Sequence, residues 1–63
     1  MAGIERDARV RHPEYGDGTI EAVADEVLIY WDQPLHESAG RHRLYHTRAF
    51  VAGLETLSSP EDP

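Results

Sequence analysis

Apolar and polar residues alternate along this chain in short runs interrupted by proline and glycine. From Ala8 to His12 the run Ala-Arg-Val-Arg-His has the period of a half-buried strand and turns Val10 inward. Pro13 ends that run. Glu14-Tyr15-Gly16-Asp17-Gly18 then carries two glycines spaced for positive φ or close backbone approach, which predicts a tight loop. A second strand is expected over Thr19 to Ala24. Its apolar residues Ile20 and Val23 stand three apart rather than two, so a bend or bulge is expected to let the strand serve two faces.

Asp25-Glu26 is short and polar enough for a hairpin turn, and a third strand follows at once. Between Glu26 and Trp31 the alternation sets Val27, Ile29 and Trp31 on one face and Leu28 and Tyr30 on the other. One face is core; the second is either covered by a neighbouring strand or exposed to a partner. Asp32 to Gly40 has proline near one end, glycine at the other and no steady period, and reads as a loop, with Gln33 to Gly40 its long part. Arg41 to His46 alternates again as a fourth strand antiparallel to the third, with Leu44 inward and His42, Leu44 and His46 sharing a face. Thr47 can cap a short helical or 3-10 turn through Arg48 to Ala52 that needs tertiary support, and Gly53 ends it. Leu54 to Leu57 offers the last strand. The expected fold is all-β: a small five-stranded, partly open barrel over residues 8–57, between a flexible segment 1–7 and a disordered tail 58–63.

Length and composition narrow the function. At 63 residues there is room for one domain, and a chain of this size buries only about 60% of the surface its unfolded form exposes. The absence of cysteine removes disulfides and thiolate-metal sites as staples. The longest apolar run, Val27 to Trp31, is far short of the roughly 20 residues of a membrane span. The first seven residues lack the apolar stretch of a signal peptide, so no membrane contact and a cytoplasmic location are expected. Twelve acidic against six basic residues give a net charge of -6, which disfavours long-range attraction to phosphate. All six basic residues are arginine, the cation best suited to two-pronged carboxylate bonds and aromatic stacking.

The run Arg9 to Ile20, with its basic-Val-basic-His-Pro and aromatic-Gly-acid-Gly-Thr pattern, resembles the opening of the Tudor-like domain at the C-terminus of UvrD/PcrA-type bacterial helicases. Val27 to Asp32, the pair Arg43-Leu44 and Leu54-Glu55-Thr56-Leu57 are similar to later strands of that domain. His-Pro and Gly-x-Gly openings are also similar to those of CarD-like domains that interact with RNA polymerase. The resemblance implies an SH3/Tudor-like barrel that docks on another protein, with bacterial RNA polymerase as the partner class and transcription or transcription-coupled repair as the setting. Within it, His12, Pro13, Tyr15, Gly16 and Gly18 form a structural motif: Pro13 ends the strand, the glycines permit the turn, and Tyr15 covers the open end.

Candidate chemistry is sparse. His12, His36, His42 and His46 lack zinc-type spacing and cysteine partners, so neither metal nor cofactor is expected. Ser38, Ser58 and Ser59 have no adjacent base, and the chain is read as non-catalytic. Tyr15, Tyr30, Trp31, Tyr45 and Phe50 would make a cation cage only by converging. The leading reading is a protein-interaction module binding through Leu28, Tyr30 and Tyr45, with Arg41 and Arg43 supplying charge complementarity. The rival is a small nucleic-acid-binding barrel in which Arg9, Arg11, Arg41 and Arg43 gather into a stripe. An unpaired edge strand leaves a monomer or a weak homodimer as the expected state.

Overall fold

Five strands and one helix follow one another along the chain: β1 (Arg9–His12), β2 (Gly16–Val23), β3 (Glu26–Leu35), β4 (Arg41–Thr47), α1 (Arg48–Ala52) and β5 (Glu55–Ser58). They are seen in a computed structural model that describes residues 4–35 and 40–58. The strands form a single antiparallel sheet in the order β4-β3-β2-β1-β5. Hairpins join β1 to β2 and β2 to β3, while α1 carries the chain from β4 at one edge to β5 at the other.

The mostly-β class, the strand count and the short helix before the last strand match the expectation, but the sheet is not closed into a barrel. β4 and β5 are its two edges. Residue alternation sets which side chains face inward; closure depends on strand tilt and stagger, which alternation does not encode.

The core follows from the third strand. Val27, Ile29 and Trp31 are fully buried on one face of β3, joined by Val10 of β1, Ile20 of β2, Ala8 and Val51 of α1. Burying each larger apolar side chain contributes about 1.5–3 kcal/mol, so this one face supplies much of what holds so small a sheet together. The expected bulge is present: the β2–β3 register shifts between Ile20 and Ala22, with Ile20 opposite Ile29 and Ala22 opposite Leu28. Val23, beyond the bulge, packs against the core from a partly buried position.

Several boundaries differ from those expected. β2 begins at Gly16, so the β1–β2 turn is Pro13-Glu14-Tyr15 and both glycines fall in β2, Gly16 as its first residue. Gly16 has φ +81° and takes the left-handed conformation, whereas Gly18 lies within β2 under Trp31. Asp32 to Leu35 continues β3 rather than opening a loop. Gly40 has φ +83° at the start of β4's turn, and residues 36–39 of the expected long loop lie outside the described residues. β5 is displaced by one residue, to Glu55–Ser58. The expected boundary at Ala8 also omits contacts: Ile4 packs against the core, and the Asp7 amide donates to the Ile20 carbonyl at 2.6 Å. Of the expected tail only Ser58 is described, as the end of β5.

α1 begins as its sequence predicts. The Thr47 hydroxyl accepts from the Phe50 amide at 3.1 Å, and Val51 is buried against the sheet. Gly53 ends the helix with φ -86°, its amide donating back to the Phe50 carbonyl, so its use here is not a left-handed conformation.

Candidate functional site

With Val27, Ile29 and Trp31 turned into the core, the pleat turns Leu28, Tyr30 and Asp32 to the opposite, outer face of β3. Pairing then fixes what lies beside them. Leu28 stands opposite Tyr45, and Tyr30 opposite Arg43, while Arg41 is exposed at the start of β4 and pairs with Leu35 beyond a break in register. Of the expected partner-binding residues, Leu28, Tyr30, Arg43 and Tyr45 thus share one face of two adjacent strands, and Arg41 lies beyond the register break. Tyr45 is 66% exposed, the large hydrophobic side chain that stands out into solvent among the described residues.

The polar side chains of this face are connected. One cross-strand row runs Ser58, Arg9, Thr19, Tyr30, Arg43 over all five strands. The Arg9 guanidinium holds Asp32 with two nitrogens, at 3.0 and 2.7 Å, and also donates to the Thr19 hydroxyl at 2.6 Å. Arg11 donates to Asp17, its opposite neighbour on β2, at 2.9 Å. Arg43 donates to Glu21 at 2.6 Å, reaching across β3 to the residue that the β2 bulge sets out of register. Its Cζ also lies 5.0 Å from the centre of the Tyr30 ring, a cation-π distance.

These bonds shift the ionisation of Arg9, Arg11, Arg43, Asp17 and Asp32. The Asp17 and Asp32 carboxyls are held below the usual range by hydrogen bonds from Arg11 and Arg9 respectively, against a smaller opposing effect of desolvation. Arg9, Arg11 and Arg43 are raised, first by their hydrogen bonds to Asp32, Asp17 and Glu21. The pairs are solvent-exposed, with side chains from about a third to more than half accessible, so each contributes little to stability in water.

Of the four arginines of the rival stripe, Arg9, Arg11 and Arg43 are on this face, Arg41 is exposed beyond the register break, and they are not equivalent. Arg9, Arg11 and Arg43 are each engaged by a carboxylate, whereas Arg41 has no ion-pair partner among the described residues. Sequence reasoning missed the acids that engage them, Asp17, Glu21 and Asp32, and also Thr19. The signal lay in the hairpin register, which sets Asp17 directly opposite Arg11 once the turn is placed at Pro13-Glu14-Tyr15.

His42 also departs from its expected place. Leu44 and His46 face the core as alternation requires, but the His42 ring stacks on Tyr30 with centroids 5.0 Å apart and planes within 6°. Its Nδ1 donates to the Trp31 carbonyl at 2.9 Å. The β3–β4 register breaks between Tyr30 and Leu35, and past that break parity no longer settles where a side chain goes.

The remaining aromatics gather elsewhere. His12 stacks on Tyr15 at 4.5 Å and on Phe50 at 5.3 Å, His46 stacks on Phe50 at 4.3 Å, and Tyr15 tilts against Trp31 at 5.1 Å. Tyr15 and Phe50 of this cluster pack against the core from partly buried positions, and there is no closed barrel whose open end Tyr15 could cover. Because Tyr30 and Tyr45 lie on the outer face and Trp31 is fully buried, the five aromatics named as a possible cation cage do not converge. Within the structural motif, His12 Nδ1 accepts from the amides of Glu14 at 3.0 Å and Tyr15 at 3.3 Å, holding the turn that follows Pro13. A groove of about 410 Å³ runs beside this cluster between His12, Pro13, Phe50 and Leu54. Among the described residues no group of three or more histidines or carboxylates is placed to hold a metal ion, and His36 lies outside them.

Comparison with protein families, with curated proteins and with solved structures finds no match to this chain.

Proposed function

We propose that this chain is a non-catalytic protein-interaction module, an open form of the SH3/Tudor-like barrel, that docks a partner on the outer face of β3 and β4. One observation carries the proposal: Tyr45, 66% exposed, stands beside Leu28 on a face otherwise tied up in its own ion pairs. Exposed aromatic side chains with a neighbouring arginine are the anchors that interfaces favour. The likeness of Arg9 to Ile20 to polymerase-docking domains supports bacterial RNA polymerase as the partner and transcription or its coupled repair as the cytoplasmic process served.

The test is a pull-down from nuclease-treated bacterial lysate with tagged protein, compared with its Tyr45→Ala variant. Recovery of RNA polymerase subunits by the parent and not by the variant is expected. Equal recovery by both would remove Tyr45 from the interface.

The rival, nucleic-acid binding by Arg9, Arg11, Arg41 and Arg43, draws support from the placing of Arg9, Arg11 and Arg43 on one face and the exposure of Arg41 on the strand of Arg43. It is opposed by the carboxylates that already engage three of them and by the net charge of -6. Titration of labelled single- and double-stranded oligonucleotides at low salt decides it, since phosphate contacts are strongest there.

A further inference from the structure

We propose that the groove between the end of β1, α1 and the start of β5 takes one apolar residue of a partner peptide, with a backbone carbonyl of that peptide accepting from His12. This goes beyond the docking proposed above at Tyr45, and neither site needs the other.

His12 supplies a donor that the fold leaves unused. Its Nδ1 accepts from the amides of Glu14 and Tyr15, so the proton of the ring sits on Nε2. That N–H has no hydrogen-bond partner among the described residues, although His12 is half-buried and lines the groove. Neighbouring donors are taken. The Gly53 amide donates to the Phe50 carbonyl at 3.2 Å, the Leu54 amide to the Val51 carbonyl at 3.0 Å, and Arg11 to Asp17 at 2.9 Å. An acceptor brought to His12 therefore satisfies a polar group without displacing a bond already in place.

Shape and charge define the occupant. The volume of about 410 Å³ falls in the range of roughly 300–1,000 Å³ found for binding clefts. Pro13, Phe50 and Leu54 form its apolar wall, and the last two are held in place by packing against the core. Gly53 has an ordinary φ of -86°, and a Cβ there would meet nothing nearer than the Phe50 carbonyl at 3.6 Å. Neither backbone nor packing demands glycine at this position, and its missing side chain leaves that part of the lining open. At the rim Arg11 stands between Asp17 and Glu55, its opposite neighbours on β2 and β5. One guanidinium between two carboxylates leaves the rim negative, which repels an acidic ligand and favours an uncharged or basic one. A peptide meets both conditions, because each residue carries an uncharged acceptor beside its side chain.

The probe is the capped tripeptide acetyl-Gly-Leu-Gly-amide, titrated into the isotopically labelled full chain at low ionic strength, with versions in which lysine or glutamate replaces the first glycine. Amide and imidazole nitrogen shifts are followed in the parent, His12→Phe, Gly53→Leu and Tyr45→Ala. Binding with a dissociation constant on the order of 1 mM is expected, with shifts at residues 12–14 and 50–55 and at Nε2 of His12. The glutamate version should bind about threefold more weakly than the lysine version, and His12→Phe should bind the parent peptide about fivefold more weakly. Gly53→Leu should weaken binding with the fold intact, and Tyr45→Ala should leave it unchanged. Equal affinity in the parent, His12→Phe and Gly53→Leu would overturn the site. Preference for the glutamate version would overturn the class of peptide. Shifts centred on β3 and β4 and lost in Tyr45→Ala would overturn the groove while supporting the outer face, and no shifts with any of the three peptides would overturn the groove and leave docking at Tyr45 to its own test.

Discussion

The indole Nε1–H of Trp31 donates to Nε2 of His46 at 3.1 Å, tying a fully buried ring of β3 to the edge strand β4. A buried indole N–H needs an acceptor, and β4 supplies one from the side chain that also stacks on Phe50 of α1. The bond therefore secures both the edge strand and the helix that follows it.

Replacing His46 by leucine keeps an apolar side chain there but removes the acceptor together with the stack on Phe50. The expected loss is about 1–3 kcal/mol, the cost of leaving a buried donor unsatisfied. Urea unfolding followed by the fluorescence of the single tryptophan measures it, and His46→Gln, which can offer an acceptor oxygen, should recover part of the loss. An unchanged midpoint for His46→Leu would show that the indole finds another partner.

Gly16 and Gly18 should respond to alanine for different reasons. A Cβ on Gly18 would meet Trp31 Cε3 at 2.7 Å, Ile29 Cγ2 at 2.9 Å and the Tyr30 carbonyl at 3.1 Å, all parts of the core strand. Overpacking of this kind costs about 1–3 kcal/mol, and Gly18→Ala should also shift the tryptophan emission of the native state. Gly16 has open space around its missing side chain but a φ of +81°, so Gly16→Ala should cost about 1–2 kcal/mol with unaltered native emission.

This pair marks how far the sequence could be read. Periodicity alone located five strands, turned Val10 inward and parted Val27, Ile29 and Trp31 from Leu28 and Tyr30, because side-chain alternation in a strand is a local property; which of those two faces is core it left open. It assigned Gly18 to the turn, since the close approach of Trp31 from the adjacent strand is visible only once β2 and β3 are in register. The outer face was legible as a set of residues but not as a network. Arg43 meets Glu21 only because the bulge moves Glu21 out of the ladder, and no spacing rule in one strand reports a side chain reaching over another.

Acid should weaken the fold through Asp17 and Asp32. Both carboxyls are lowered in the folded state, so the stability they contribute is present above the ordinary aspartate value of about 3.9 and is lost as pH falls below it. The raised values of Arg9 and Arg11 have the opposite sign, giving a contribution kept throughout acid and neutral pH. Urea midpoints measured from neutral pH to about pH 2.5 should fall less for the Asp17→Asn/Asp32→Asn double variant than for the parent. The difference should shrink in high salt, because the pairs are exposed. Parallel pH profiles would mean that these bonds are not formed in solution.

His12 holds its turn through a ring nitrogen, so aromatic shape alone should not replace it. His12→Phe preserves the possibility of stacking on Tyr15 and Phe50 but loses the acceptor for two amides, and a loss of about 0.5–1.5 kcal/mol is expected. His12→Asn, whose side-chain oxygen can accept from the same turn, tests the converse: it should keep protection of the Glu14 and Tyr15 amides in hydrogen exchange while losing the stacking. Faster exchange of both amides in His12→Asn than in His12→Phe would assign the turn to packing instead.

The carboxylates of the outer face should also decide whether this sheet binds nucleic acid. Asp32, Asp17 and Glu21 engage Arg9, Arg11 and Arg43, and neutralising them leaves the fold's buried residues untouched while freeing these three arginines, with Arg41 exposed on the strand of Arg43. The triple variant Asp17→Asn/Glu21→Gln/Asp32→Asn should therefore bind single-stranded oligonucleotides that the parent does not. If all four guanidiniums engage phosphates, log affinity should fall against log salt with a slope of roughly -3, from about 0.7 per phosphate contact on a single strand. Fluorescence anisotropy over a salt series measures both the gain and the slope. Binding by the parent with a similar slope would mean that phosphate displaces the carboxylates unaided, and the arginine stripe rather than Tyr45 would then be the working surface. Binding by the variant alone would make the acidic residues the feature that keeps an arginine-bearing face available to protein partners.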